Sequence, residues 1–428
     1  MPGGWSIRAV YGLLLLTYAA VCSLFAILAP FPAGYDERAH YSYALHLAER
    51  NEFAPAFDDM FLVDSDQRSA WTTDRNYLNH PSFYYASLIL PAQASNVSGA
   101  ISPLLLRLFN VALSVAALAL ALQIGLRCDW PLPARLVFGV MLATTPTLPI
   151  LGGLVTNDNL AWFGGALACL GAYHLLSDGV SGRRLAMLAA GVALASLAKL
   201  TAAMLGGLFL VTVLVALAAR EGWRIVADQR VLLAVTLGAL ALLPYLWFWN
   251  QYGSPAPYTT GHAAILEQRL AELPAWRDQR YDLPHYVGHF LLSLLMFWPP
   301  TVPRTGLEML LLAAPLGVLT LAGLGVLMVW RVPRQRDRTP IEALVLCGSI
   351  TVVAVMAIHL GFTFARHLES GWLKGIYPRY YFPLLPLLAA SAAIAVARLG
   401  SWTIACFALV AVLGYAGFAG WTVVHVMS

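Results

Sequence analysis

The sequence has few charged residues. Only 11% of its 428 residues are Asp, Glu, Lys or Arg, whereas soluble domains carry about 25%. Hydrophobic residues make up 59% of the chain. This composition excludes a set of soluble domains and indicates an integral membrane protein.

Several motifs are also missing. There is no glycine-rich phosphate loop or other nucleotide-binding signature, which argues against an ATP-driven pump, and we predict no nucleic-acid partner. The five cysteines lie in or beside apolar blocks without the paired spacing of a disulfide framework or a zinc site. Short alternating segments are lacking, which excludes a spanning β-barrel.

Apolar blocks of about 20 residues recur along the chain, and a helix of that length crosses a hydrocarbon core of about 30 Å. They predict an all-α polytopic membrane protein with about eleven transmembrane helices in one domain, residues 1–428. The blocks are 8–30, 102–126, 132–152, 158–177, 184–198, 200–219, 231–249, 306–330, 341–361, 380–397 and 401–425.

The orientation follows from the arginines beside the short loops. A cytoplasmic N-terminus places most of these arginines inside, as the positive-inside rule requires, and most acidic residues outside. Three long outer segments result, 31–101, 250–305 and 362–379. The first contains a periodic stretch and a short apolar stretch that are both expected to lie on the membrane surface as helices, and the second contains an amphipathic stretch followed by an apolar run. We therefore expect a protein of the cytoplasmic (inner) membrane whose polar chemistry is on the outer face.

The first outer segment begins with two adjacent carboxylates, Asp36 and Glu37, and His40 follows one helical turn later. On a helix either carboxylate can share a face with the imidazole. Such a cluster suits a general base with its orienting partner, or a divalent metal such as Mg or Mn held by Asp36, Glu37 and His40. The alternative is an acidic cap at the start of a helix, which is common.

Three further positions carry polar groups at the ends of apolar blocks. His80 precedes Pro81 and an aromatic run, and either contacts an anion or is a solvated interfacial histidine. Asp158 opens a span after Asn157, where helix capping is a sufficient explanation. Lys199, one of two lysines in the chain, divides a long apolar stretch into two helices that meet near the outer surface. It either snorkels at a helix end or binds an interior anion.

The last outer segment contains Lys374 and Arg379 just before an apolar block. Arginine suits phosphate because its planar fork makes two parallel charge-assisted hydrogen bonds. Contact with lipid headgroups is the alternative.

Taken together, these motifs resemble the GT-C superfamily of membrane glycosyltransferases, which includes protein O-mannosyltransferases and the aminoarabinose transferases that modify lipid A. The resemblance covers most of the chain. The residues that carry it, in order, are Asp36-Glu37, His80-Pro81 with Tyr84 and Tyr85, Thr156-Asn157-Asp158, Ala198-Lys199-Leu200-Thr201 and Arg379-Tyr380-Tyr381 with Pro383 and Pro386.

The resemblance implies a GT-C fold and an inverting transfer of a hexosyl or pentosyl group from a polyprenyl-phosphate carrier to an envelope acceptor: a lipid-linked glycan, lipopolysaccharide or a protein. It makes Asp36, with Glu37 beside it, the catalytic acid of the first outer segment, acting as a base or as a metal ligand. Four cations or histidines are expected at the donor phosphate: Arg379, Lys374, His80 and Lys199. Five residues are expected to support the site or the acceptor: His40, Tyr41, Asp158, Asn157 and Tyr84.

Two other classes of protein share this hydropathy. A secondary transporter or lipid flippase places ionisable groups near the bilayer midplane. A non-catalytic membrane assembly protein has no need of Asp36 or Glu37.

Overall fold

The structure is a computed structural model. It describes residues 6–66, 70–94, 96–97, 100–272, 280–295, 306–333, 337–371, 373, 377–400, 408, 413–414, 416–417, 420 and 423–424. The α-helices, numbered in chain order, are α1 Ile7–Leu28, α2 Glu37–Arg50, α3 Phe83–Ser87, α4 Ile89–Ala94, α5 Pro103–Arg127, α6 Leu132–Ala143, α7 Leu148–Gly152, α8 Asp158–Asp178, α9 Gly182–Ala198, α10 Leu200–Glu221, α11 Gln229–Leu240, α12 Leu243–Tyr252, α13 Thr260–Glu272, α14 Leu283–Leu295, α15 Gly306–Trp330, α16 Pro340–Ser370 and α17 Leu385–Leu399.

Three 3-10 helices and two small antiparallel hairpins complete the described elements. The 3-10 helices are Phe57–Asp59, Trp223–Ala227 and Pro378–Leu384. The strands are β1 Phe61–Val63, β2 Trp71–Arg75, β3 Asn96–Val97 and β4 Ala100–Ile101; β1 pairs with β2, and β3 with β4. Both hairpins lie in the first predicted outer segment, so the spanning part of the fold is helical, as predicted.

Seven helices in the described ranges are long and apolar enough to cross a membrane, fewer than the predicted eleven. They are α1, α5, α8, α10, the α11–α12 pair, α16 and the 3-10 helix Pro378–Leu384 with α17. The block 132–152 breaks between α6 and α7, where the hydroxyls of Thr144 and Thr145 bond back to the preceding turn and Pro146 has no N–H. The block 184–198 forms a helix of only 17 residues, and α15 counts as an apolar helix only over Leu316–Trp330. The block 401–425 lies largely outside the described residues.

In the predicted outer segments, helices form where the sequence predicts them, but α2 is not a surface helix. Its residues 39–47 are all buried, because α3, α4 and β1 pack around it. The apolar run Phe83–Leu90 forms two short helices, α3 and α4, instead of one.

Close packing of small residues fixes the relative positions of α8, α9 and the 3-10 helix Pro378–Leu384, whose ends carry polar residues. Gly164 of α8 faces Gly191 and Ala195 of α9 so closely that a Cβ on Gly164 would lie 2.4 Å from the Ala195 nitrogen. Gly165 faces the 3-10 helix before α17, where its Cβ would lie 2.1 Å from the Pro383 carbonyl oxygen. Small residues allow such approach in membrane helix pairs. As a result, the start of α8, the end of α9 and the start of the last described span meet.

Candidate active site

Asp36 lies in the connection between α1 and α2, where the backbone is left-handed. Gly34, Tyr35 and Asp36 have φ angles of 98°, 50° and 65°, and such values are uncommon for residues other than glycine. The Asp36 side chain does not cap α2. Its Oδ1 accepts a hydrogen bond from the Tyr77 hydroxyl at 2.9 Å, and its Oδ2 accepts one from Arg379 Nη2 at 3.1 Å. The carboxylate is thus directed toward a distant arginine rather than its own helix.

Arg379 bridges two carboxylates. It lies on the 3-10 helix Pro378–Leu384 and is 8% exposed. Its Nη2 donates to Asp36, and its Nη1 donates to Asp158 Oδ2 at 3.3 Å. Its Nε has no hydrogen-bond partner among the described residues. Because a buried donor without a partner is costly, this N–H favours binding of a ligand that supplies an acceptor.

Asp158, the first residue of α8, also binds Lys199. The ammonium group donates to Asp158 Oδ1, and the Thr156 hydroxyl donates to Oδ2 at 3.2 Å. Lys199 is the extended residue between α9 and α10, so the predicted pair of helices meeting at this lysine is confirmed. The lysine therefore binds an interior carboxylate and does not snorkel to the surface.

Tyrosine rings surround the two cations. The Tyr380 ring centroid lies 5.1 Å from Lys199 Nζ and 5.6 Å from Arg379 Cζ. The rings of Tyr35 and Tyr377 lie 5.2 and 5.5 Å from Arg379 Cζ. Rings at these distances attract a cation through their negative faces. They hold both cations in place while leaving their N–H groups free to bond acceptors.

Asp36 is the accessible member of this four-charge network. Its side chain is 39% exposed, whereas those of Arg379, Asp158 and Lys199 are 9%, 6% and 5% exposed. Partial removal from water raises the pKa of Asp36, but the Arg379 charge and the hydrogen bonds from Tyr77 and Arg379 outweigh this effect and lower the pKa below its ordinary value. Asp36 is therefore an ionised, reachable carboxylate.

His40 and His80 lie beside the network as neutral imidazoles. Their rings are stacked with centroids 6.0 Å apart, and His40 Nδ1 is 2.8 Å from the Tyr85 hydroxyl. Burial lowers the pKa of His40 to about 4, although the charges of Asp36 and Asp158 oppose the shift. Burial also lowers the pKa of His80 well below its ordinary value. Neither ring adds positive charge at neutral pH.

Glu37 does not join this cluster. Its two oxygens accept bonds from Arg107 Nε and Nη2 at 2.7 and 2.8 Å, and also from the backbone N–H groups of Ala33 and Val155. Arg107 donates its remaining N–H groups to the carbonyls of Ala26, Ala29 and Pro30. Glu37 thus ties the connection before Asp36 to α5. Sequence reasoning missed Arg107, although an arginine inside the block 102–126 is the kind of intramembrane charge that has a role.

The remaining predicted residues support the site from outside or lie elsewhere. Asn157 Nδ2 donates to the Ala198 carbonyl at 2.8 Å and joins the start of α8 to the end of α9. The Tyr84 hydroxyl donates to Asn110 Oδ1 at 2.8 Å. Tyr41 is fully buried, with its ring edge-on to Phe31. Lys374 lies outside the described residues.

The residues predicted to hold a metal do not fit one together. Asp36 and His40 lie in the cluster, but the oxygens of Glu37 are bound to Arg107. In the part of the chain that the structure describes, no group of three or more His, Cys, Asp or Glu side chains is arranged to hold a metal ion. The cluster instead consists of two carboxylates, Asp36 and Asp158, whose charges are balanced by Arg379 and Lys199.

Sequence comparison identifies the family. The model of predicted membrane proteins named DUF2142 matches residues 51–388, well over half of the chain. The chain belongs to the DUF2142 family. A comparison with curated proteins finds no match.

Solved structures similar to this member of the DUF2142 family include ArnT and an archaeal oligosaccharyltransferase. The crystal structure of ArnT from Cupriavidus metallidurans bound to undecaprenyl phosphate matches 92% of this chain with 16% identity and a TM-score of 0.54. The oligosaccharyltransferase of Archaeoglobus fulgidus, tethered with an acceptor peptide containing the NVT sequon, matches 97% of the chain with 15% identity and a TM-score of 0.52. This chain spans only 61% and 54% of those two proteins. The likeness confirms the predicted GT-C fold.

Proposed function

We propose that this chain is an inverting glycosyltransferase. It moves a sugar from a polyprenyl-phosphate carrier to a lipid-linked glycan, lipopolysaccharide or protein, on the outer face of the cytoplasmic membrane. The observation that carries the proposal is the partly exposed Asp36 carboxylate held 3.1 Å from the buried Arg379, in a chain with the GT-C fold. This pair provides a proton acceptor beside a phosphate-binding cation.

Arg379 and Lys199 are the groups we assign to the donor phosphate. Both are buried cations at helix ends, and Arg379 Nε has no partner among the described residues. The neutral His80 adds a hydrogen-bond donor without adding charge. The bound undecaprenyl phosphate in the similar ArnT structure supports a lipid phosphate as the donor group.

The chemical step is a single displacement. The acceptor oxygen forms a bond to the anomeric carbon while the bond from that carbon to the phosphate oxygen breaks, and the electron pair leaves with the polyprenyl phosphate. The acceptor hydroxyl proton goes to Asp36. One displacement inverts the anomeric configuration. Cations aimed at the departing phosphate stabilise the charge that develops there.

Arg379 also links donor binding to the base. Without donor, Arg379 lowers the pKa of Asp36, and a carboxylate with a low pKa is a weak base. A phosphate that takes over one face of the guanidinium weakens its bond to Asp36. Donor binding therefore raises the proton affinity of Asp36 when an acceptor is needed.

The position of the charges favours this reading over a transporter. Asp158 is the first residue of α8, and Lys199 lies at the junction of α9 and α10. Transporters place their coupling charges near the bilayer midplane. Here the charges are at helix ends, beside the predicted outer segment that contains Asp36.

Mass spectrometry of cell-envelope glycans tests the proposal. We expect a strain without the gene to lose one sugar from an envelope glycan, and the parent gene to restore it. Asp36→Asn should fail to restore it at equal protein level, whereas Asp66→Asn, which changes an exposed carboxylate of the same segment, should restore it. Envelope glycans that do not change when the gene is lost, or full restoration by Asp36→Asn, would contradict the proposal.

A further inference from the structure

A second polar cluster lies at the opposite ends of the helices that form the candidate site. α8 begins at Asp158 and ends at Asp178, and 21 residues at about 1.5 Å each span about 30 Å. This is the thickness of the hydrocarbon core. α9 returns from Gly182 to Ala198, next to Lys199. The cluster around Asp178 therefore lies about one hydrocarbon-core thickness from Asp158, at the other end of α8.

This end of the helices contains a cavity of about 440 Å³ between α5, α8 and α9. Cavities that bind small molecules measure about 300–1,000 Å³. Its lining includes two apolar side chains, Leu170 and Met187. The polar residues that line it are Arg127, His174, Asp178, Ser181, Arg183 and Arg184.

The charges in the cavity do not balance. Arg184 Nη2 lies 3.4 Å from Asp178 Oδ2, and Nη1 donates to the carbonyls of Asp178 and Gly179, so the single carboxylate is already neutralised. Arg127 and Arg183 are exposed, and neither guanidinium group forms a hydrogen bond or an ion pair with any residue that the structure describes. Two positive charges therefore face the cavity without counter-charge.

We propose that this cavity binds the phosphate of an anionic membrane phospholipid. The free guanidinium groups of Arg127 and Arg183 bind the phosphate oxygens, and Leu170 and Met187 contact the start of an acyl chain. Arginine forks match phosphate geometry, and basic pockets between membrane helices are known to take anionic headgroups. The height of the cavity, one bilayer core away from Asp158, favours a lipid over a soluble phosphate. The assignment does not depend on the glycosyl transfer proposed above.

Native mass spectrometry of the purified full-length protein with phosphatidylglycerol, phosphatidylcholine or inorganic phosphate tests the site. The parent should retain phosphatidylglycerol in preference to phosphatidylcholine. Arg127→Gln with Arg183→Gln should weaken phosphatidylglycerol binding about 25-fold, the change that about 1 kcal/mol per arginine produces at 1.4 kcal/mol per tenfold. Arg224→Gln with Arg331→Gln is the matched control, because it removes two exposed arginines that follow α10 and α15 without touching the cavity.

A charge-conserving variant separates loss of the site from loss of the fold. Arg127→Lys with Arg183→Lys keeps the charge and loses the planar forks, so its affinity should lie between those of the parent and the glutamine variant. Equal weakening by the cavity and control variants would show only general surface charge and overturn the proposal. Unchanged phosphatidylglycerol binding in the glutamine variant, or displacement of the lipid by inorganic phosphate at equal concentration, would also overturn it.

Discussion

Asp36 and Glu37 are adjacent in the chain, yet their carboxylates bind different arginines. Asp36 Oδ2 lies 3.1 Å from Arg379 Nη2, and Glu37 Oε1 lies 2.7 Å from Arg107 Nε. The backbone is left-handed at Tyr35 and Asp36, just before Glu37, and this turn directs the two carboxylates apart. Asp36 is 39% exposed at the side chain and the Glu37 side chain is fully buried. One carboxylate can meet a substrate, and the other holds the connection that positions it.

Asp36→Asn should abolish most activity without affecting folding. The amide keeps the shape but removes the charge and the proton affinity, so turnover should fall by about 10²-fold to 10⁴-fold, the usual contribution of a positioned base. The measurement is sugar transfer by purified protein, with the melting temperature as a check on folding. The control is Asp66→Asn. Near-parental transfer by Asp36→Asn would reject the catalytic assignment.

Glu37→Gln, unlike Asp36→Asn, should mainly lower the stability of the fold. Breaking a buried ion pair by removing one partner costs about 3–5 kcal/mol, because the other charge stays buried. We expect a clear fall in the melting temperature of the detergent-solubilised protein. Glu267→Gln, at an exposed position on α13, should melt like the parent. Unchanged melting of Glu37→Gln together with lost transfer would instead make Glu37 a participant in the chemistry.

The sequence alone indicated which residues are candidates for the site, but it did not show which residues they contact. Hydropathy places helices well, since burying the backbone in lipid requires them, but it does not show where Thr144, Thr145 and Pro146 break an apolar block. The contact between Asp36 and Arg379 joins residues 343 positions apart, and only the fold brings them together. Spacing alone treats Asp36 and Glu37 alike, because the turn that separates them is set by backbone conformation.

Arg379→Lys should weaken binding of undecaprenyl phosphate. The lysine keeps the positive charge and loses the fork and the Nε donor, so at least one charge-assisted bond, worth about 1.5–3 kcal/mol, is lost. This corresponds to a fall in affinity of about tenfold to 150-fold. Arg366→Lys, on the exposed end of α16, is the control. Parental affinity in Arg379→Lys would transfer the phosphate-binding role to Lys199, the other buried cation of the network, or to the neutral His80 as a hydrogen-bond donor.

Gly165→Ala should displace the 3-10 helix that carries Arg379. The new Cβ would lie 2.1 Å from the Pro383 carbonyl oxygen, and that backbone cannot move without moving its neighbours. Overpacking of this kind typically costs about 1–3 kcal/mol. Gly207→Ala in α10 is the matched control, because a Cβ there meets nothing within 4 Å. Equal melting temperatures for the two variants would show that this contact does not position the 3-10 helix.

The predicted topology can be tested by labelling. With Cys406 replaced by serine, the other four cysteines are buried and should give little background. A cysteine at Asp66 should react with an impermeant thiol reagent in intact cells, and one at Arg224 only after permeabilisation. The opposite pattern would place the candidate active site on the cytoplasmic side.

The neutrality of the four-charge network bears on how a donor reaches it. The negative charges of Asp36 and Asp158 balance the positive charges of Arg379 and Lys199, so the site has no net charge with which to steer anions from solution. Salt also screens the buried charges of the network only weakly. The donor that we propose, a polyprenyl phosphate, is concentrated in the bilayer and would arrive by lateral diffusion, so it needs no such steering. Its capture rate should therefore depend on the amount of carrier in the membrane and hardly at all on ionic strength.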